Sequence, residues 1–192
     1  MSENNSHTKN IYYPPGGILM WIIITLELLT FGMALVAMVL FSKSDAQLFH
    51  SSRLLLNTKL GVVNTAVLLT SGFFMTMAAS CFKSKKSVEV RFYLKLVLLS
   101  GVLFCTLKGF EFYCKFSEGL TLDVNLFFTF YWLLTGFHFI HVIVGLVIIG
   151  FVLKAINETN NLSQEDFEAG AAFWHMCDLI WLIVFPVIYL LF

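Results

Sequence analysis

EAGAAFWHMCDLIWLIVFPVIYLLF, residues 168–192, is the stretch on which the fold reading turns. It is apolar over enough length to span a bilayer, which takes about 20 residues. His175 and Asp178 nevertheless sit well inside it. On a helix, Trp174, Asp178, Trp181 and Phe185 fall on one stripe, with His175 beside them. A carboxylate at apolar depth costs on the order of 3 kcal/mol on insertion scales unless partners satisfy it. This helix is therefore expected to turn the stripe towards other protein, and other helices are expected to supply the partners.

The rest of the chain shares this character. Of 192 residues, 58% are hydrophobic and 12% charged, against about 25% charged in soluble domains. Mean hydropathy is +0.83. The fold class is all-α, an integral membrane bundle of five transmembrane helices. Apolar runs lie at about 17–41, 57–82, 92–113, 125–153 and 169–192. Short connections between them make sequential helices antiparallel neighbours. A single domain covers 17–192, preceded by a polar cytoplasmic segment, 1–16. No small-residue cleavage site follows a short apolar core, so the first span is expected to be retained. Lys+Arg and Asp+Glu both total 12, which argues against nucleic-acid binding. The four cysteines form no C-x-x-C pair and read as buried free thiols.

Loop charge sets the expected orientation. Lys9, Lys83, Lys85, Lys86, Arg91 and Lys154 lie on one side, and Lys43, Arg53, Lys59 and Lys115 on the other. The N-terminus and the FKSKKSVEVR loop are expected in the cytoplasm and the C-terminus in the periplasm. Tyr12, Tyr13 and Trp21 read as interfacial anchors of the first span. His7 and His50 lie in polar segments and read as solvated.

Each span carries a polar stripe: Glu27 with Thr30; Asn57, Gly61, Asn64 and Ser71; Lys108, Glu111 and Lys115; Tyr131, Thr135, His138, His141 and Gly145; and Trp174, His175 and Asp178. Glu111 can pair with Lys108 or Lys115 at helical spacing. Gly61, Gly72, Gly101, Gly136 and Gly145 are expected to admit close helix contact. The set Glu111, His138, His141, His175 and Asp178 supports two readings. One is an ion-paired, hydrogen-bonded cluster that locks the last three spans together, in which every buried histidine finds a carboxylate or hydroxyl. The other is a metal- or haem-binding enzyme site using His138, His141 and His175. Glu27 has no basic residue near it on its own helix. It reads either as a proton-carrying carboxyl, as in a small proton-coupled transporter, or as a structural carboxyl bonded to Asn64 or a backbone carbonyl.

Five segments, in order, resemble one family. They are TLELLTFG at 25–32, LNTKLGVVNTAVLLTSG at 56–72, LKGFEF at 107–112, TGFHFIHVIVG at 135–145 and FEAGAAFWHMCDLIWLIVF at 167–185. Together they are similar to subunit III of the haem–copper oxidases (cytochrome c oxidase), with Phe112 where a Tyr is usual. The spellings NLFFTFYWLLTGFHFIHV at 125–142 and WHMCDLIWLIVFPVIYLL at 174–191 look most like NorE, the short, nitric oxide reductase-associated branch.

The resemblance implies a non-catalytic accessory subunit in a bacterial inner (plasma) membrane. Its implied partner is the large catalytic subunit of a haem–copper oxidase or nitric oxide reductase, and its implied role is support of assembly, proton uptake or sustained turnover. No catalytic residue, metal or redox cofactor is implied in this chain. Haem, with copper or non-haem iron, would belong to the partner subunit. Membrane lipids are implied partners, with bound phospholipid in a cleft whose other wall is formed by two further family helices that have no counterpart in this sequence. Glu27, Lys108, Glu111, His138, His141, His175 and Asp178 are carried over as buried, proton-linked polar positions.

Overall fold

The computed structural model describes residues 15–158 and 162–192; the expectations for His7, Lys9, Tyr12 and Tyr13 lie outside these. All regular structure among the described residues is helical: α1 (Ile18–Ser42), α2 (Ala46–Leu54), α3 (Thr58–Lys83), α4 (Ser87–Ser117), α5 (Leu126–Glu158) and α6 (Gln164–Tyr189). Five of them, all but α2, are long and apolar enough to cross a membrane. At 1.5 Å per residue, the shortest is nearly 40 Å long.

The caps explain the boundaries. Asn57 accepts from Leu60 N at 3.2 Å and starts α3. Asn125 accepts from Phe128 N at 2.9 Å and starts α5. Ser163 accepts from Asp166 N at 3.0 Å and donates to Asp166 Oδ2 at 2.6 Å. That cap places the start of α6 at Gln164, one polar turn before the apolar run expected from 169. α4 likewise begins at Ser87 and ends at Ser117, outside the expected 92–113. α5 runs on to Glu158, past the expected 153.

The five expected spans are all present, and a short sixth helix, α2, is added to them. The nine residues of α2 are not apolar enough to register as a span, yet Asp45 caps them by accepting from Leu48 N at 3.1 Å. α2 closes one end of the bundle. Phe49 is buried edge-on against Phe127 at 5.7 Å and Phe192 at 5.3 Å. Arg53 donates to the Tyr189 carbonyl at 3.3 Å, and Asn125 donates to Ser52 Oγ at 3.0 Å. His50, on the outer side of α2, is exposed as expected.

α6 is the axis of the packing and lies against α1, α3 and α5. It buries 14 of its 26 residues, whereas α1 buries 4 of 25. Trp174, Asp178, Trp181 and Phe185 all face inward, as their spacing predicts. Glycines make room for them. A Cβ on Gly101 of α4 would stand 2.7 Å from the Trp174 ring, one on Gly145 of α5 2.9 Å from it, and one on Gly61 of α3 2.8 Å from Phe185. A Cβ on Gly72 would collide with the Asp178 carboxylate. Gly136 departs from the expectation of close contact, because a Cβ there meets nothing within 4 Å.

Candidate functional site: polar groups within the bundle

The residues expected to form one cluster are distributed over four places. The most enclosed is built by α4, α5 and α6 around Lys108 and Glu111, which are 0% and 2% exposed. Lys108 Nζ donates to Glu111 Oε2 at 3.1 Å and to Tyr189 OH at 2.6 Å, with Tyr131 OH at 3.5 Å. Glu111 Oε1 accepts from Tyr131 OH at 2.9 Å and from Tyr189 OH at 2.5 Å. The ammonium also lies 5.0–5.3 Å from the ring centroids of Phe112, Tyr131, Trp181 and Tyr189. A buried ion pair is tolerated only when its remaining donors and acceptors are also satisfied, and the two phenols do this for the carboxylate. Lys115, the other candidate partner of Glu111, turns away. It donates to the Leu55 carbonyl and to Glu118 Oε2, each at 2.7 Å.

Tyr189 was not among the expected polar positions. The signal for it was present: it continues the α6 stripe of Asp178, Trp181 and Phe185 by one more turn.

Glu27 on α1 meets His141 on α5, with Oε2 and Nε2 3.3 Å apart. This corrects the expectation of Asn64 or a backbone carbonyl as partner. His141 Nδ1 lies 2.7 Å from the Phe137 carbonyl, which can only accept, so Nδ1 carries a proton. Nε2 is therefore the nitrogen that faces the Glu27 carboxyl. The side chains are 30% and 18% exposed, on the wall of a groove of about 340 Å³ between α1 and α5, lined also by Thr30, Phe31, Phe130, Leu134 and Phe137.

His175 Nδ1 lies 3.4 Å from Asp178 Oδ2, one turn apart on α6 and packed against Gly72 of α3. The His175 side chain is 45% exposed, so it approaches the carboxylate from the bundle surface and is not an interior group.

His138 is fully buried, stacked on Trp181 with centroids 5.1 Å apart and edge-on to Phe104 at 5.8 Å. Neither of its nitrogens has a hydrogen-bond partner among the described residues. The expectation that each buried histidine finds a carboxylate or hydroxyl therefore fails here, because α5 aims this ring at aromatic faces. Asn64 is likewise buried with neither amide atom bonded to protein. Its neighbour Thr65 accepts from Trp181 Nε1 at 2.9 Å.

His138, His141 and His175, expected in one reading to share a metal or haem, thus stand in three different surroundings. Among the described residues, no three His, Cys, Asp or Glu side chains are grouped so as to hold a metal ion. The arrangement can tie five helices together through matched polar groups, and it sets a carboxyl and an imidazole side by side on the wall of a groove.

Comparison with known proteins agrees with the resemblance seen in the motifs. Residues 20–191 match the family described as cytochrome c oxidase subunit III. A probable cytochrome c oxidase subunit 3 of Rickettsia conorii is 33% identical over 135 residues, 67% of this chain and 46% of that protein. The cytochrome c oxidase subunit 3 of Synechocystis sp. is 30% identical over 132 residues, 67% of this chain and 55% of that protein. A probable subunit 3 of Nocardia farcinica is 30% identical over 136 residues, 70% of this chain and 67% of that protein. The chain spans about half the length of the first two of these curated relatives. Matched to the family over residues 20–191 and built on five helices long and apolar enough to cross a membrane, this chain belongs to the cytochrome c oxidase subunit III family.

Proposed function

We propose that the chain is a non-catalytic accessory subunit of a haem–copper oxidase or nitric oxide reductase in a bacterial plasma membrane. In this reading it packs beside the large catalytic subunit and supports its assembly, proton uptake or sustained turnover. Family membership over residues 20–191 carries the proposal. The Glu27–His141 pair supports the proton part, since it places a carboxyl able to take up and release a proton beside an open groove. The NorE-like spellings at 125–142 and 174–191 favour a nitric oxide reductase as the partner complex. Haem, copper or non-haem iron belong to the partner subunit in this assignment, and none is held by this chain.

The test is purification from native membranes through a tag on this chain. A haem-bearing large subunit should co-purify and be identified by mass spectrometry. The chain expressed alone should show no Soret band and no stoichiometric metal. Deleting its gene should leave the terminal reductase with its cofactors but with lower turnover or faster inactivation. A haem or metal retained by the isolated chain and lost in His138→Ala or His175→Ala would replace the accessory reading with an enzymatic one.

A further inference from the structure

Where α3 turns into α4, against the last turn of α5 and the approach to α6, the bundle opens into a cavity of about 360 Å³. Its floor is apolar. Val90 and Ile156 are buried there, and Phe82 is stacked on Phe167 with centroids 4.2 Å apart. Its rim carries Lys83, Lys85 and Lys86. Among the described residues no carboxylate lines the cavity. Glu168 stands 3.8 Å from Lys83 and Glu89 stands 3.3 Å from Lys86, both lysine side chains being more than half exposed.

The turn that presents the lysines is specific. Lys86 N donates to the Cys81 carbonyl and Lys85 N to the Phe82 carbonyl, each at 3.0 Å. This closure places the residue at position 85 in the left-handed region, φ 56°. The same closure at the end of α4, Leu120 N to Lys115 O and Gly119 N to Phe116 O, uses Gly119 at φ 75°. Glycine takes that conformation without a steric penalty and lysine does not. A lysine held there, between two others, is a backbone outlier at a concave surface, the kind of observation from which a functional site is inferred.

We infer that this cavity binds the phosphate of an anionic phospholipid headgroup, with the lysines on the phosphate and the first acyl carbons on the Phe82, Val90 and Ile156 floor. Basic rim and apolar floor together match an amphiphile seated at the end of membrane-spanning helices, where basic pockets take anionic headgroups. A free phosphate would use the rim and leave the floor unused. The site is far along the chain from the α1–α5 groove, and the inference stands whatever enzyme the chain accompanies.

The test uses the purified full chain in neutral detergent, titrated with phosphatidylglycerol, phosphatidylcholine or inorganic phosphate. Retention is read by native mass spectrometry and stability by thermal unfolding. Phosphatidylglycerol should be retained at least about tenfold more tightly than phosphatidylcholine, and Lys83→Gln/Lys85→Asn/Lys86→Gln should remove that preference. Asn is used at 85 because it tolerates the left-handed region. Glu89→Gln/Glu168→Gln removes the competing carboxylates and should tighten phosphatidylglycerol binding, a gain that misfolding does not produce. Equal retention of the two lipids, or a triple variant that retains phosphatidylglycerol like the parent, overturns the inference. Inorganic phosphate stabilising the chain as well as phosphatidylglycerol does would overturn the lipid assignment in favour of free phosphate.

Discussion

Replacing Glu111 by Gln leaves the Lys108 ammonium at full burial with two phenol oxygens and four ring faces but no counter-charge. Breaking a buried ion pair from one side costs about 3–5 kcal/mol. The upper end applies here, because the Glu111 carboxylate accepts three hydrogen bonds, from Lys108, Tyr131 and Tyr189. Lys108→Met should sit at the lower end, about 3 kcal/mol, because two phenols still donate to the carboxylate that remains. In the double variant no charge is buried. Its cost reduces to imperfectly paired neutral groups, about 1–3 kcal/mol. The singles therefore sum to about 8 kcal/mol, well above the double, so the coupling is about 5 kcal/mol or more, beyond the usual range for residues in contact. SDS titration of the purified chain in mixed micelles measures this, with tryptophan fluorescence as the signal. Trp181 reports locally, since its ring lies 5.3 Å from Lys108 Nζ. Additivity within about 0.5 kcal/mol would refute the reasoning and show that Lys108 and Glu111 are stabilised independently.

Further outcomes follow from other contacts. His175→Ala and Asp178→Ala should each lower stability in the same titration, and together cost less than their sum, because the two side chains are each other's partners at 3.4 Å; strict additivity would mean separate partners. Gly101→Ala should destabilise by about 1–3 kcal/mol through overpacking against Trp174, while Gly136→Ala, in open space, should be neutral or stabilising by up to about 1 kcal/mol. Equal effects at the two glycines would show that Trp174 is not wedged between α4 and α5. Glu27 should be labelled by a hydrophobic carbodiimide, with Glu27→Gln as the blank. His141→Phe should increase the labelling, since the imidazole that faces the carboxyl and competes for its proton is then gone; unchanged labelling would break the link between the two. A reporter active only in the periplasm should be active after Phe192 and silent at Ser87, and the reverse pattern would invert the proposed orientation.

The spanning helices were legible in the sequence because a bilayer requires each crossing segment to satisfy its own backbone and to present apolar side chains over about 20 residues. The inward stripe of α6 was legible for a related reason, since helical period alone puts Trp174, Asp178, Trp181 and Phe185 on one face. The five motif segments likewise carried the family. α2 escaped hydropathy, because nine amphipathic residues at a bundle end need no apolar run, although Asp45 marked its start.

Partner choice was another matter. Nothing local tells Glu111 to take Lys108 and leave Lys115, or sends Glu27 across to His141, or turns His138 from any polar partner onto Trp181. Those pairings depend on how far each helix is rotated and slid against its neighbours. Rotation and offset are decided by where glycines let a ring in, as Gly101 and Gly145 do for Trp174 and Gly61 does for Phe185. The sequence by itself determined which polar residues stand out within the apolar spans. The tertiary structure alone decided which of them meet, because that is a property of packed pairs of helices and not of any one of them.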